Sequence, residues 1–333
     1  MTLDRVSVVV TTRNEARNIG NCLESVKAQG YPAELVEIIV VDNASTDDTQ
    51  AIARRYTDKV FDKGPERSAQ RNFGFAQATG DVLVFLDADM ILSASVLERS
   101  VAMLRQGYDA LYIPEIVLGR GFFPTVRRFE RSFYDATVID CVRAFTRRAF
   151  DQAGGFDESL TGPEDWDFDK RMRASARVGL LSTYDFDRVD AYVRSLPGTP
   201  RAGAGLGPET PRAGAAKAPA QDSGPELAAR LAGYEALSRD DRPLLFHNEA
   251  AFDLWRYLTK KTYYGGSFEA YIAKWPAGDA DIRRQFGAFY RFFGVFLENG
   301  RWRRLLSHPR LTFGMYFLRF LVGLSYLLDK LKR

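Results

Sequence analysis

A chain of 333 residues, 46% hydrophobic and 27% charged, can bury one large or two modest cores, which excludes a disordered or fibrous protein. The net charge of +3 hides an asymmetry. Arg283 to Arg333 hold eleven Lys or Arg against Glu298 and Asp329, a charge of +9, so the first 282 residues carry −6.

Taken in order, the chain opens on Val6-Ser-Val-Val-Val-Thr-Thr12, an apolar strand with a polar tip reaching Glu15. The N-terminus enters this strand at once with no signal-peptide pattern, so the cytosol or its membrane face is the expected compartment. Ile19, Cys22, Leu23 and Val26 repeat at helical spacing, and Gly30-Tyr-Pro32 stops that helix. A strand at 37–42, a helix at 47–56, a short strand at 59–62 and a helix at 67–78 follow. Val82-Leu-Val-Phe-Leu86 is the next strand, with a helix at 93–106 behind Ser93 as N-cap. Alternating β and α segments predict a parallel sheet covered by helices on both faces. Further strands are expected at 109–117 and 137–145, with an aromatic helix at 122–134 between them. Cys22 and Cys141 lack metal or redox spacing and are expected as buried thiols.

Gly154 to Asp169 form a Gly- and Pro-bearing loop that starts a helix running through Arg173, and Leu180-Leu181 suggest another strand. Nineteen of the 29 residues from 197 to 225 are Gly, Ala or Pro, so this stretch is expected to be a flexible surface insertion. Pro243 to Asn248 is a short apolar run carrying His247, and helices are expected from there to the end. Residues 311–328 are apolar apart from Arg319 and are bounded by Arg310, Lys330, Lys332 and Arg333. The run is marginal for spanning a bilayer, and a central Arg is costly there, so an interfacial helix is the better expectation. The aromatics of the tail lie among aliphatic runs, which favours a membrane surface over a nucleic acid as partner.

The chemistry sits at strand tips. The apolar run 82–86 ends in Asp87 and Asp89, where open α/β sheets bind ligands, and paired acids can hold a divalent cation that grips a diphosphate. Asp42 and Glu15 fall at neighbouring tips. A dinucleotide enzyme would need G-x-G-x-x-G after the first strand, and a nucleotidyltransferase a Gly-rich basic loop there; Thr11-Thr-Arg-Asn-Glu15 supplies neither.

These segments, Val-Val-Val-Thr-Thr-Arg-Asn-Glu, Val-Val-Asp-Asn-Ala-Ser-Thr-Asp-Asp-Thr, Phe-Leu-Asp-Ala-Asp and Gly-Gly-Phe-Asp-Glu…Glu-Asp, occur in an order that resembles the family 2 glycosyltransferases. The resemblance covers about residues 4–185 and the His247 region. It implies a GT-A fold of class α/β over 1–248, with a helical, membrane-proximal region over 249–333. It also implies an inverting transfer from a nucleotide-diphosphate sugar, a UDP-sugar above others, to a lipid-linked or glycan acceptor. By position, Thr11, Glu15 and Asp42 would hold the nucleobase, while Arg67, Arg71 and Asp87 would hold the rest of the nucleotide. Asp89 and His247 would ligate Mg²⁺ or Mn²⁺. Asp165, supported by Glu164, would act as general base on the acceptor hydroxyl. Trp166 would stack on a sugar, and Lys261 would meet an acceptor or donor phosphate. No Gln-x-x-Arg-Trp of the processive members is present, so one sugar is expected per encounter.

Overall fold

Val8 and Val10 point to one face of β1 (Val6–Thr12) and Val9 to the other, and helices cover both faces, so this strand lacks polar alternation. In the computed structural model, residues 4–196, 237, 240–264 and 267–332 are described. The stretch 197–225 and the side chain of Lys261 lie outside the described residues.

From β1 the chain runs through α1 (Ile19–Lys27), β2 (Val36–Asp42), α2 (Thr49–Ala53), β3 (Val60–Asp62), α3 (Arg67–Gln77) and β4 (Val82–Asp87). Next come β5 (Met90–Leu92), α4 (Val96–Arg105), β6 (Ala110–Tyr112), β7 (Glu115–Val117), α5 (Phe122–Arg131), β8 (Ala144–Thr146) and α6 (Arg147–Ala153). The remainder is α7 (Glu164–Ser175), β9 (Val178–Leu180), α8 (Phe186–Ser195), β10 (Leu245–His247), α9 (Leu254–Tyr264), α10 (Phe268–Lys274), α11 (Ala280–Phe286), α12 (Arg303–Ser307) and α13 (Pro309–Lys332).

Seven strands form one sheet in the order β3-β2-β1-β4-β8-β6-β9, with β8 antiparallel to both its neighbours. Three make a second sheet, β5-β10-β7. The strand expected over 109–117 is therefore two strands in two sheets. Pro114 lies between them, has no N–H for a ladder, and offers only its carbonyl, which accepts from Leu245 N at 2.9 Å. The strand expected over 137–145 shrinks to β8. Before it, Thr137 and Asp140 make local turns, with Thr137 N on the Tyr134 carbonyl and Asp140 N on that of Thr137. β5, α6 and α8 were not anticipated, because each is ten residues or fewer and lies beside a stronger signal.

Val10, Val40 and Leu86 pack under α1 and α4, while Val9, Ile39 and Phe85 face an aromatic layer with Phe75, Phe145 and Phe168. A third core joins α5 to the C-terminal helices through Phe129, Phe133, Phe296, Met315 and Leu318. Gly314 permits that approach: a Cβ there would lie 2.7 Å from Phe122 Cζ and from Val126 Cγ2. Arg319 turns inward, its Nε 3.0 Å from Glu130 Oε1. Among the described residues no helix is long and apolar enough to cross a membrane.

Candidate active site

Parallel pairing aligns the strand tips. Thr12 pairs with Asp42 and Thr11 with Asp87, so the polar ends of β1, β2 and β4 meet along one edge. Thr11 Oγ1 donates to Asp87 Oδ1 at 3.2 Å. Asp42 is fully buried and spends its carboxylate on its own tip, accepting from Ser45 N at 2.7 Å, Ser45 Oγ at 2.5 Å and Gln50 Nε2 at 3.0 Å. These contacts shape the β2 turn at the residue for which the sequence pointed to a base contact. Glu15, half-buried, accepts from Asn18 Nδ2 at 2.6 Å.

Arg71 is enclosed between two elements. Its guanidinium is fully buried between the rings of Phe85 and Phe156, 4.4 and 5.0 Å from their centroids. It donates to Asp87 Oδ1 at 3.1 Å and to Asp165 Oδ1 at 2.6 Å. It ties the tip of β4 to the start of α7. Arg67, one turn earlier on α3, donates to Glu164 Oε1 at 2.7 Å and lies 4.0 Å from Asp87. Burial would raise the Asp87 and Asp165 carboxyls, but Arg71 outweighs it and holds both below the ordinary range. For Glu164 burial prevails over Arg67, and its carboxyl is raised. Asp165 is thus held ionised beside a less acidic neighbour.

The metal-type pair forms through the second sheet. β10 lies antiparallel to β5 with His247 opposite Met90, which brings His247 Nε2 to 3.1 Å from Asp89 Oδ2. Glu115 on β7 holds the other ring nitrogen, its Oε1 3.0 Å from His247 Nδ1. Burial would lower the imidazole, yet Asp89 and then Glu115 raise it well above the usual histidine range. Asp89 Oδ1 is buried with no hydrogen-bond partner among the described residues. Among those residues no group of three His, Cys, Asp or Glu is arranged to hold a metal by itself.

Asp165, His247, Glu115 and Arg67 line one cavity of about 630 Å³ that runs from the strand tips to α13. Trp166 lines it too. It stacks on Phe268 at 6.1 Å and donates from Nε1 to the Ile139 carbonyl at 3.2 Å. Sequence reasoning missed Glu115, Arg143 and the Arg127/Glu130/Arg131 group in this wall. Glu115 did leave a signal, an acid directly after Pro114 inside an apolar run. The arginines of α5 gave none beyond helical amphipathicity.

A mostly parallel sheet under helices, with the acids of its strand tips along one edge and an acid-headed helix beside them, is the arrangement of a GT-A transferase fold. Residues 7–154 match the model described as Glycosyl transferase family 2, so this part of the chain carries a family 2 glycosyltransferase domain. The glycosyltransferase AglE of Haloferax volcanii is 39% identical over 110 residues, 31% of this chain and 36% of that protein. An undecaprenyl-phosphate 4-deoxy-4-formamido-L-arabinose transferase of Pseudomonas savastanoi is 30% identical over 115 residues, 32% of this chain and 34% of the relative. TarS of Staphylococcus aureus, a poly(ribitol-phosphate) β-N-acetylglucosaminyltransferase, is 26% identical over 226 residues, 62% of this chain and 38% of its own. Its crystal structure with UDP-GlcNAc aligns over 54% of this chain and 56% of that one at TM-score 0.44. The chain thus spans a little over a third of the length of these curated relatives.

Proposed function

We propose that the protein transfers a sugar from a nucleotide-diphosphate donor, a UDP-sugar above others, to a lipid-linked acceptor with inversion at the anomeric carbon. The observation that carries this reading is the shared cavity: the ionised Asp165, Arg67 and His247, which pairs with Asp89 behind it, line one space. Asp165 takes the proton as the acceptor oxygen attacks the anomeric carbon. The bond to the diphosphate breaks on the opposite side, and the nucleoside diphosphate leaves with the electron pair. Asp87 and Arg67 lie on the donor side. Glu164 and Arg71 keep Asp165 oriented.

Mg²⁺ or Mn²⁺ fits the donors present. Asp89 has a buried oxygen without a partner, its other oxygen lies one ligand spacing from His247 Nε2, and a carboxylate holds the far side of the imidazole. Asp89 and His247 would hold the ion and leave its remaining positions to the donor. Bound there, it supplies positive charge against the departing diphosphate.

The reading includes attachment to the cytosolic face of a membrane. On α13, Phe313, Phe317, Phe320, Leu324 and Leu327 repeat at three- and four-residue steps and are all exposed, with Arg310 at the start of the helix. Two relatives carry phosphate-bearing acceptors in their names, undecaprenyl-phosphate and poly(ribitol-phosphate), which supports a phosphate-linked acceptor.

Release of nucleoside diphosphate from a panel of UDP- and GDP-sugars, with Mn²⁺, Mg²⁺ or EDTA, tests the proposal. Metal-dependent release that falls about 100-fold in Asp89→Asn is expected. Release that is absent for every donor, or indifferent to both EDTA and Asp89→Asn, overturns it.

A further inference from the structure

The far part of the cavity holds charge that the transfer step does not use. Most of its arginines are neutralised locally. Arg127 pairs with Glu130 and Glu249, Arg131 with Glu115 and Asp140, and Arg319 with Glu130. Two are not. Arg143 is 6% exposed, reaches Glu115 only at 3.4 Å through Nη2, and leaves Nη1 buried with no partner among the described residues. A buried guanidinium donor left unmade costs free energy unless something else accepts from it. Arg291 lies over the face of Trp166, 5.8 Å from the ring centroid, and makes no salt bridge among the described residues. Both line the cavity that contains Asp165, and Arg143 is near enough to lower the Asp165 and Asp87 carboxyls.

Beyond these two cations the wall turns apolar. Phe292, Leu318, Val322 and Gly323 continue the same cavity along α13, toward the exposed stripe of Phe317, Phe320 and Leu324. Gly323 is exposed there, and a Cβ would meet nothing within 4 Å. One continuous space therefore offers a base, then two guanidinium groups with donors to spare, then an apolar path ending at an apolar surface. A ligand complementary to all three carries a hydroxyl, a phosphate and a long apolar chain, in that order.

We infer that Arg143 and Arg291 form the phosphate subsite for the acceptor, and that its apolar chain leaves along α13 past Leu318 and Gly323. This rests on the glycosyltransferase reading and deepens it by naming the residues that read the acceptor. Guanidinium groups suit the role because their planar donor forks match phosphate oxygens, and low dielectric strengthens the pairing. Arg319 is turned to Glu130 and, so neutralised, adds no competing cation between these two arginines and the apolar exit.

Equilibrium binding of farnesyl phosphate, farnesol and inorganic phosphate to the full chain in dilute detergent tests the subsite. Farnesyl phosphate is expected to bind at least about tenfold more tightly than either of the others. Arg291→Ala should weaken farnesyl phosphate by about tenfold while changing farnesol less than about twofold. Gly323→Leu, which adds bulk at the apolar exit in a helix-favouring residue, should weaken farnesyl phosphate and leave inorganic phosphate unchanged. Inorganic phosphate binding as tightly as farnesyl phosphate would show a free-anion site and overturn the inference. So would farnesyl phosphate affinity indifferent to both substitutions. Nucleotide-sugar hydrolysis by the unaltered chain is run alongside. Turnover without farnesyl phosphate binding sinks this inference alone, and no turnover with any donor sinks the function on which it rests.

Discussion

Arg71→Met is the sharpest test of how the site is held. The substitution keeps an unbranched apolar side chain between Phe85 and Phe156 but removes the cation shared by Asp87 and Asp165. Stripping one partner from a buried ion pair costs about 3–5 kcal/mol. Asp87 and Asp165 remain 20% and 24% exposed, so solvent recovers part of that loss, and about 3 kcal/mol is expected at pH 7.5. In a chain of this size that is a fall of roughly 5–10 °C in Tm. The pH dependence follows from the direction of the shifts. With Arg71 present, both carboxyls lie below their unfolded values, so their contribution is held above the ordinary carboxylate range and lost only in strong acid. Without Arg71, Arg67 and Arg143 still oppose burial, so both carboxyls rise from their depressed values and the gap between the two proteins widens as pH rises through that interval. Calorimetry at pH 3 and 7.5 should therefore show a smaller gap between the two proteins at pH 3. Adding Asp165→Asn to Arg71→Met should restore part of the loss, because one orphaned charge is gone. A Tm within 2 °C of the parent at pH 7.5, or a double variant no better than the single, would refute the shared-cation account.

Three further outcomes are expected. Gly314→Leu should lower stability by about 1–3 kcal/mol in a denaturant melt, because its side chain enters space held by Phe122 and Val126; Gly323→Leu on the same helix should not. Asp135 is buried, with one oxygen unpartnered among the described residues, and burial and Asp140 push its carboxyl up to about 7. The advantage of its neutral form is complete below the ordinary carboxylate range and is lost as pH rises through about 7. Asp135→Asn should therefore raise Tm at pH 8.5 and change it little at pH 5. Replacing Phe313 and Phe320, 73% and 61% exposed, with Ser should cut sedimentation with anionic liposomes at least tenfold, with the circular-dichroism spectrum retained.

The sheet was legible because β1, β2 and β4 are uninterrupted apolar runs with polar ends, a pattern that a fully covered parallel strand requires. The acids at those ends were legible for the same reason. Partner assignments were not. Nothing in the spacing of Arg71 shows that α3 turns it beneath Phe85, nor that Asp42 will be consumed by Ser45 and Gln50. Pro114 marked a break inside the run 109–117, but which sheet each half joins depends on β10, more than a hundred residues later. Glu115 escaped notice because its role exists only once His247 arrives beside it.

That late arrival has a consequence for how the protein is made. As the chain leaves the ribosome, the portion matching the family model, through residue 154, can lay down β1, β2 and β4, with Asp87 and Asp89 already at the rim. It lacks the helix that carries Asp165 and the strand that seats between β5 and β7. Closing a contact 158 residues apart, Asp89 to His247, is among the slower steps a chain can take. Until then the half-built rim lacks both Asp165 and His247, so the arrangement around the cavity exists only once the chain has been made past residue 247.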